Sequence, residues 1–277
     1  MTDRHPIMAV GVTRSEHKDL DNFEALFASD GAEAVEAIRE HGHTILTVII
    51  DAQNLKTDLE ELVVYIRQTY RDTLLAVIRP IEPEIENTFK LLGVSHFLDR
   101  PLTQQTLNGL LRRTVALPTL NVNQSDWAVT INRQDWVEIS VPSKTEYVSR
   151  IQELIDLLER SKLDQDTRDE LMLAIDELVT NAMEWGNQYE TDKEVKVSYF
   201  CTQDQVTLKV EDEGKGFSVS GLGDPTQDLG FHREQREHSG KRPGGFGIHM
   251  IRSLMDEFIY NDRGNTVILT KFLTQSE

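Results

Sequence analysis

The sequence has a single cysteine, Cys201, which excludes an intramolecular disulfide and agrees with a reducing cytoplasm. That thiol falls in a strand-like segment and reads as a small buried residue. No apolar run approaches the roughly 18 residues that a membrane span needs. The N-terminus, MTDRHPIMAVGV, has too short an apolar stretch for a signal peptide and no small-residue cleavage site. Basic residues are scarce, with 29 Lys and Arg against 47 Asp and Glu and a net charge of −18. This argues against direct nucleic-acid binding, which needs clustered positive charge. The charge is −6 over residues 1–115 and −12 over 116–277. Such an acidic surface either steers a basic partner or serves solubility. Internal repeats and low-complexity tracts are absent.

What is present is periodicity of two kinds. Segments 7–12, 23–29, 45–51, 74–78 and 95–99 are short and apolar, as strands are. Segments 31–42, 57–70, 84–93 and 103–115 carry amphipathic helical patterns. Alternation of this kind predicts βαβ units and a flavodoxin-like parallel sheet over residues 1–115. Residues 116–134 are polar, with Pro118 and several Asn, and read as a linker holding one short strand. A second α/β domain then spans 135–277. It has a strand at 136–143, helices at 145–161 and 164–187, and strands at 193–201 and 205–213. A Gly- and charge-rich region (214–244), a helix (246–258) and a closing hairpin (259–272) complete it.

The second of those helices contains AIDELVTNAMEWGN (174–187). Leu171, Ile175, Leu178, Ala182 and Trp185 recur at helical spacing as a buried stripe. Glu177 and Asn181 lie beside it, one turn apart on a common face. Asn is a poor helix-interior residue because its amide competes for backbone hydrogen bonds, so its presence there calls for a reason. Two further motifs follow: DEGKGF (212–217) ends an alternating strand, and GGFGIHM (244–250) runs glycines directly into a helix.

These three features suit a nucleotide. Gly245 and Gly247 would let backbone N–H groups approach phosphates at a helix N-terminus. Asp212 could accept a hydrogen bond from an exocyclic amine such as adenine N6, with Gly214 and Gly216 letting the base lie close to the backbone. Asn181 offers a neutral oxygen to Mg²⁺, and Glu177 is placed to take a proton from an attacking nucleophile.

Order and spacing resemble the ATPase domain shared by histidine kinases, gyrase B, Hsp90 and MutL, an α/β sandwich. The nearest resemblance within it is to bacterial anti-sigma factor serine kinases. The matching blocks are VEISVPS, DELVTNAMEWGN, VEDEGKGF, DPTQDL, GGFGIHMIRSLMDEF and RGNTVILTKF. The resemblance implies Glu177 as general base, Asn181 as Mg²⁺ ligand and Asp212 as the adenine-reading carboxylate. Gly214, Gly216, Gly245 and Gly247 would shape the pocket. Residues 218–243 would form an ATP lid whose Lys241 and Arg242 reach the phosphates, and Thr266 would be a further adenine contact. Two positions depart from the pattern: Trp185 stands where these kinases commonly have His, and Phe246 where a long side chain such as Arg is usual. A histidine kinase proper is excluded, since residues 114–135 hold neither a phosphoaccepting His nor a dimerising hairpin.

The first domain resembles a response-regulator receiver over about residues 6–115, with Asp51 at the phosphoacceptor position. Its phosphorylation chemistry is missing. Thr13, Arg14 and Ser15 follow the first strand in place of an acidic pair, Arg79 replaces the usual hydroxyl, and Arg100 the usual lysine. Asp51 therefore reads as a vestigial phosphoacceptor in a pseudo-receiver, paired with Arg79 or Arg100. The whole chain is expected to be a cytoplasmic Mg-ATP-dependent serine/threonine kinase that acts by partner switching. The resemblance implies a STAS-type anti-anti-sigma protein as substrate, a sigma factor as a further partner, and a homodimer. A non-catalytic nucleotide-sensing module that sequesters a partner is the rival.

Overall fold

The structure, a computed structural model, describes residues 6–12, 20, 23–41, 45, 47–53, 59–70, 73–79, 81–94, 96–115, 120–124, 127–131, 136–159, 163–202, 204–217 and 246–273. Its internal contacts divide it into two compact units, residues 1–120 with 131–136 and residues 121–130 with 137–277.

The first unit is built on five parallel strands: β1 (Pro6–Val10), β2 (Glu24–Ala28), β3 (Thr47–Asp51), β4 (Leu74–Ile78) and β5 (His96–Leu98). Their order, β2-β1-β3-β4-β5, is the doubly wound flavodoxin-like one. Every residue of β3 and β4 is buried, as expected of strands covered on both faces. Alternation along the strands assigns the faces. Met8, Val10, Val48, Ile50, Leu75 and Val77 pack against helices α1 (Gly31–His41), α2 (Leu59–Thr69) and α3 (Pro83–Leu91). Ile7, Ala9, Ile49, Leu74, Ala76 and Ile78 face Leu107, Leu110 and Leu111 of α4 (Gln104–Val115). Asp51 closes β3 at its C-terminal end, the rim where such sheets keep their sites.

The second unit carries a seven-stranded sheet in the order β11-β12-β10-β9-β8-β7-β6. Its strands are β6 (Leu120–Gln124), β7 (Trp127–Ile131), β8 (Val137–Pro142), β9 (Glu194–Cys201), β10 (Gln205–Asp212), β11 (Glu257–Tyr260) and β12 (Thr266–Phe272). The β8–β9, β9–β10, β10–β12 and β11–β12 pairs are antiparallel. Helices α5 (Glu146–Glu159), α6 (Gln165–Asn181) and α7 (Phe246–Leu254) complete the sandwich. The start of α6 is fixed by Asp164, whose carboxylate accepts the Thr167 N–H at 2.8 Å, a stabilising N-cap.

Three expectations change. The segment read as a linker with one strand supplies two, β6 and β7, to the edge of the second sheet. The helix expected to run to residue 258 stops at Leu254, and Glu257–Tyr260 pairs with β12 instead. There the Asp256 N–H donates to Thr270 O and its carboxylate accepts the Phe272 N–H, so β12 captures the chain. Cys201 is half-buried at the end of β9 rather than enclosed. Among the described residues, no helix is long and apolar enough to cross a membrane.

Candidate active site

Glu177 and Asn181 project from α6 beside its buried stripe, and the Asn181 amide donates to Glu177 Oε1 at 3.2 Å. The amide thus has a local task, and its own carbonyl oxygen is left as an acceptor. After Asn181 the helix widens into a π turn, Ala182–Gly186, marked by the Asn187 N–H donating to Ala182 O at 2.8 Å. Leu171, Ile175, Leu178 and Ala182 are buried as expected, but Trp185 is 39% exposed. The π turn inserts one residue of phase, which carries Trp185 off the stripe.

Next to it, Gly186 lies against the end of β10. A Cβ on Gly186 would sit 2.3 Å from Asp212 Cγ, and one on Gly214 would sit 2.3 Å from Gly186 O. Gly214 N–H donates to Asp212 Oδ1 at 2.8 Å, and among the described residues it is the one hydrogen-bond donor to that carboxylate. The turn after β11 closes the same corner. Asn265 donates through its amide to Asp212 O at 2.8 Å, and Arg263 to Gly214 O at 2.7 Å. Gly216 has φ +75°, and a Cβ there would meet Arg263 O at 1.9 Å. The glycines of DEGKGF are therefore demanded by close backbone packing as well as by any ligand.

These elements enclose a cleft of about 370 Å³ within the second unit, in the size range of small-molecule sites. Asn181, Trp185 and Gly186 line it from one side, Asp212, Gly216 and Phe217 from the strand rim, and Tyr260, Asn265 and Thr266 from the closing hairpin. Thr266 is buried, with its N–H on Asn261 Oδ1. Glu177 is not on this wall. It lies one turn back along α6, against the first turn of α7, where a Cβ on Gly247 would fall 2.0 Å from Glu177 Cδ. Of the sites expected from sequence, Lys241, Arg242, Gly245 and the lid at 218–243 lie outside the described residues.

Burial pushes the Asp212 carboxyl up from the ordinary aspartate range, against the Gly214 N–H and the positive Arg263 and Lys193, which pull it down. Tyr260 is pushed up to about 12, mainly by burial and then by the negative charge of Asp212. A carboxyl whose pKa is raised by folding stabilises the fold only while protonated, and that contribution is lost as pH rises through the folded value. Asp212→Asn is therefore expected to raise the thermal midpoint at pH 7 by a few degrees, under about 4 °C. The gain should vanish as pH falls below the unfolded aspartate value. Differential scanning calorimetry across pH checks this; a lower midpoint for the Asn variant at pH 7 would contradict it.

The donor set fits a purine nucleotide: a mostly apolar cleft, one acceptor carboxylate at a backbone-lined corner, and glycines where a Cβ would collide. Among the described residues, no three His, Cys, Asp or Glu side chains converge to hold a metal. A Mg²⁺ here would draw on the Asn181 oxygen, substrate phosphates and water.

The family described as the histidine kinase-like ATPase domain matches residues 141–271. The serine-protein kinase RsbW of Bacillus subtilis (strain 168) is 31% identical over 144 residues, 51% of this chain and 88% of that protein. The chain belongs to the RsbW serine-protein kinase family. RsbW of Listeria monocytogenes serotype 4a (strain HCC23) is 28% identical over 146 residues, 52% of this chain and 90% of that one. The RsbW alignments span about half of this chain, and the ATPase-domain match begins beyond the first unit. For that unit, the chemotaxis protein CheY4 of Vibrio cholerae aligns over 40% of this chain and 98% of its own, at 22% identity and a TM-score of 0.34.

In the first unit Asp51 is fully buried, and its Oδ2 meets Arg100 Nη2 at 2.5 Å while Oδ1 accepts the Gln53 N–H at 3.1 Å. Of the two arginines considered, Arg100 forms the pair; Arg79 is bound to Glu86 at 2.8 Å. Removing Arg100, itself 28% exposed, takes the opposite charge from a fully buried carboxylate that keeps the Gln53 N–H. Arg100→Ala is expected to cost about 2 kcal/mol, read as a lower urea midpoint. An unchanged midpoint would show the pair to be dispensable.

Sequence reasoning did not single out Gly186, Phe217, Tyr260 or Asn265. Gly186 and Asn265 were legible only through the approach of two chain segments, which no local pattern encodes. The aromatic rings of Phe217 and Tyr260 meet edge to face at 5.1 Å, a contact between residues far apart in sequence.

Proposed function

We propose that this chain is a Mg-ATP-dependent protein serine/threonine kinase of anti-sigma type, acting in the cytoplasm on a STAS-type anti-anti-sigma protein. The observation that carries this reading is the Glu177–Asn181 hydrogen bond on α6, set against Gly247 and beside a cleft that ends at Asp212. Asp212 would read the adenine amine, with Thr266 as a second contact, and Gly214 and Gly216 would admit the ring. Gly245, Lys241 and Arg242 are assigned to the phosphates. Asn181 would hold Mg²⁺, which supplies charge neutralisation to the phosphates. Glu177 would take the serine hydroxyl proton as the oxygen attacks the γ-phosphorus and the bond to the leaving ADP breaks. Catalysis would otherwise rest on positioning.

Transfer of one phosphate would change the partner's relative affinities and release a sequestered sigma factor. We assign a homodimer as the working unit, and a docking or regulatory role to the first domain. Its Asp51, already paired with Arg100, would be a vestigial phosphoacceptor.

Incubation with γ-labelled ATP and a STAS-type anti-anti-sigma protein tests the reading, with phosphoserine on that protein as the expected product. The rival, a nucleotide-sensing module that binds a partner without transfer, is favoured by the position of Glu177 off the cleft wall. Tight Mg-ATP binding with no transfer would decide for the rival.

A further inference from the structure

We propose that Asn187 is a positioning residue: its buried amide fixes the course of the Asp212–Glu213 backbone and so aims the carboxylate that reads the base. The inference rests on the reading of the cleft as an adenine-nucleotide site.

Asn187 is fully buried and does not line the cleft, so it acts only through its neighbours. Its Oδ1 accepts the Glu213 N–H at 2.8 Å, and its Nδ2 donates to Ser143 Oγ at 2.7 Å and to Glu194 O at 2.8 Å. Both amide hydrogens and the carbonyl oxygen are therefore used. One side chain joins the residue after β8, the first residue of β9 and the residue after β10 to the turn that ends α6. The chain leaves Asn187 through Gln188 and Tyr189 at φ +56° and +57°, a left-handed course that side-chain-bearing residues adopt at a cost. Asn187 thus holds a position that the local sequence does not favour. The consequence falls on Asp212. Its Oδ1 accepts the Gly214 N–H at 2.8 Å, so the direction of the carboxylate follows the backbone through Glu213. That backbone is gripped from two sides. The Asp212 N–H donates to Asn265 O at 3.0 Å and its carbonyl accepts the Asn265 amide at 2.8 Å, while Asn187 takes the next N–H along.

A merely structural amide would support stability and leave selectivity alone. Isothermal titration of ADP and GDP into the full chain reads selectivity, because a fixed carboxylate acceptor favours the 6-amino group of adenine over the 6-oxo group of guanine. Calorimetry reads stability beside it. Asn187→Ala is expected to weaken ADP by about 10-fold and GDP by no more than about two-fold, which narrows their ratio. Ser143→Ala removes one acceptor of the Asn187 amide and keeps the bond to Glu213. It should lower the thermal midpoint and hold the wild-type ratio. Asn187→Asp keeps the oxygen that faces the Glu213 N–H and should restore most of the ratio, although both donors are lost.

An unchanged ADP-to-GDP ratio in Asn187→Ala, with wild-type selectivity present, would overturn the positioning role alone. A ratio that narrows equally in Ser143→Ala would overturn it too, because general loosening would then be the cause. If Asn187→Ala does not fold, Asn187→Asp decides: retained selectivity supports the assignment and a narrowed ratio refutes it. Failure of the wild-type chain to bind ADP, or equal affinity for ADP and GDP, would remove the reading of the cleft itself, and the inference with it.

Discussion

Glu177→Gln is expected to lower phosphoryl transfer to the partner serine by about 10²- to 10⁴-fold, the usual worth of a positioned general base. The change is nearly isosteric, so the first turn of α7, which passes Glu177 at Gly247 with no room for a Cβ, is not disturbed. The Asn181 amide still finds an oxygen in the new side chain. Only the capacity to accept a proton is lost. ADP affinity should therefore stay within about two-fold of wild type, since Glu177 does not line the cleft. Single-turnover labelling with γ-labelled ATP, alongside ADP titration, measures both quantities. A full-rate Gln variant would remove the base from the mechanism, and loss of ADP affinity would recast Glu177 as a structural support.

Asn181→Ala is expected to abolish Mg-ATP binding while the fold stands. Alanine is the better helix former, and Asn181 is half-buried at the end of α6, so the helix loses nothing by the exchange. What disappears is the neutral oxygen offered to a cation and the amide that tethers Glu177. The variant should show a thermal midpoint at or slightly above wild type, with no Mg²⁺-dependent gain in ATP affinity. Titration with and without Mg²⁺, paired with calorimetry, tests this. Unchanged affinity would refute the metal assignment, and a collapsed midpoint would show that the amide is structural.

Asn181 was visible early because an amide in a helix interior is locally unfavourable, and residues that break local rules are candidates for functional sites; Asp212 was visible through the G-x-G turn that follows its strand. The i, i+4 spacing of Glu177 and Asn181 was readable because a helix holds that relation whatever surrounds it. The sheet of the first unit was equally plain, since strands buried on both faces need unbroken apolar runs such as Leu74–Ile78.

Other features were hidden for physical reasons. Trp185 was placed on the buried stripe because an unbroken α period puts it there. A π turn shifts that phase, and nothing in the residues Ala182–Gly186 announces it. Strands β6 and β7 were masked by Asn, Gln and Asp. At a sheet edge, register is set by the neighbouring strand rather than by local propensity. The segment Met255–Phe258 keeps a helical pattern in sequence, yet β12 captures it through Asp256 and the Glu257–Thr270 pairing. Gly247 was read as room for phosphate, and the structure shows its hydrogen side turned to Glu177.

The wide turn after Asn181 also bears on how this sequence tolerates changes in length. An extra residue in mid-helix would rotate everything beyond it by about 100° and expose a core. Here the surplus sits at the last turn, where few residues remain to be misaligned. It behaves as an absorbed insertion: taking one residue out would restore regular α geometry and leave Trp185 pointing nearly as it does now. Length polymorphism at this one point would therefore leave the side chains beyond it in place without asking the rest of the domain to refold.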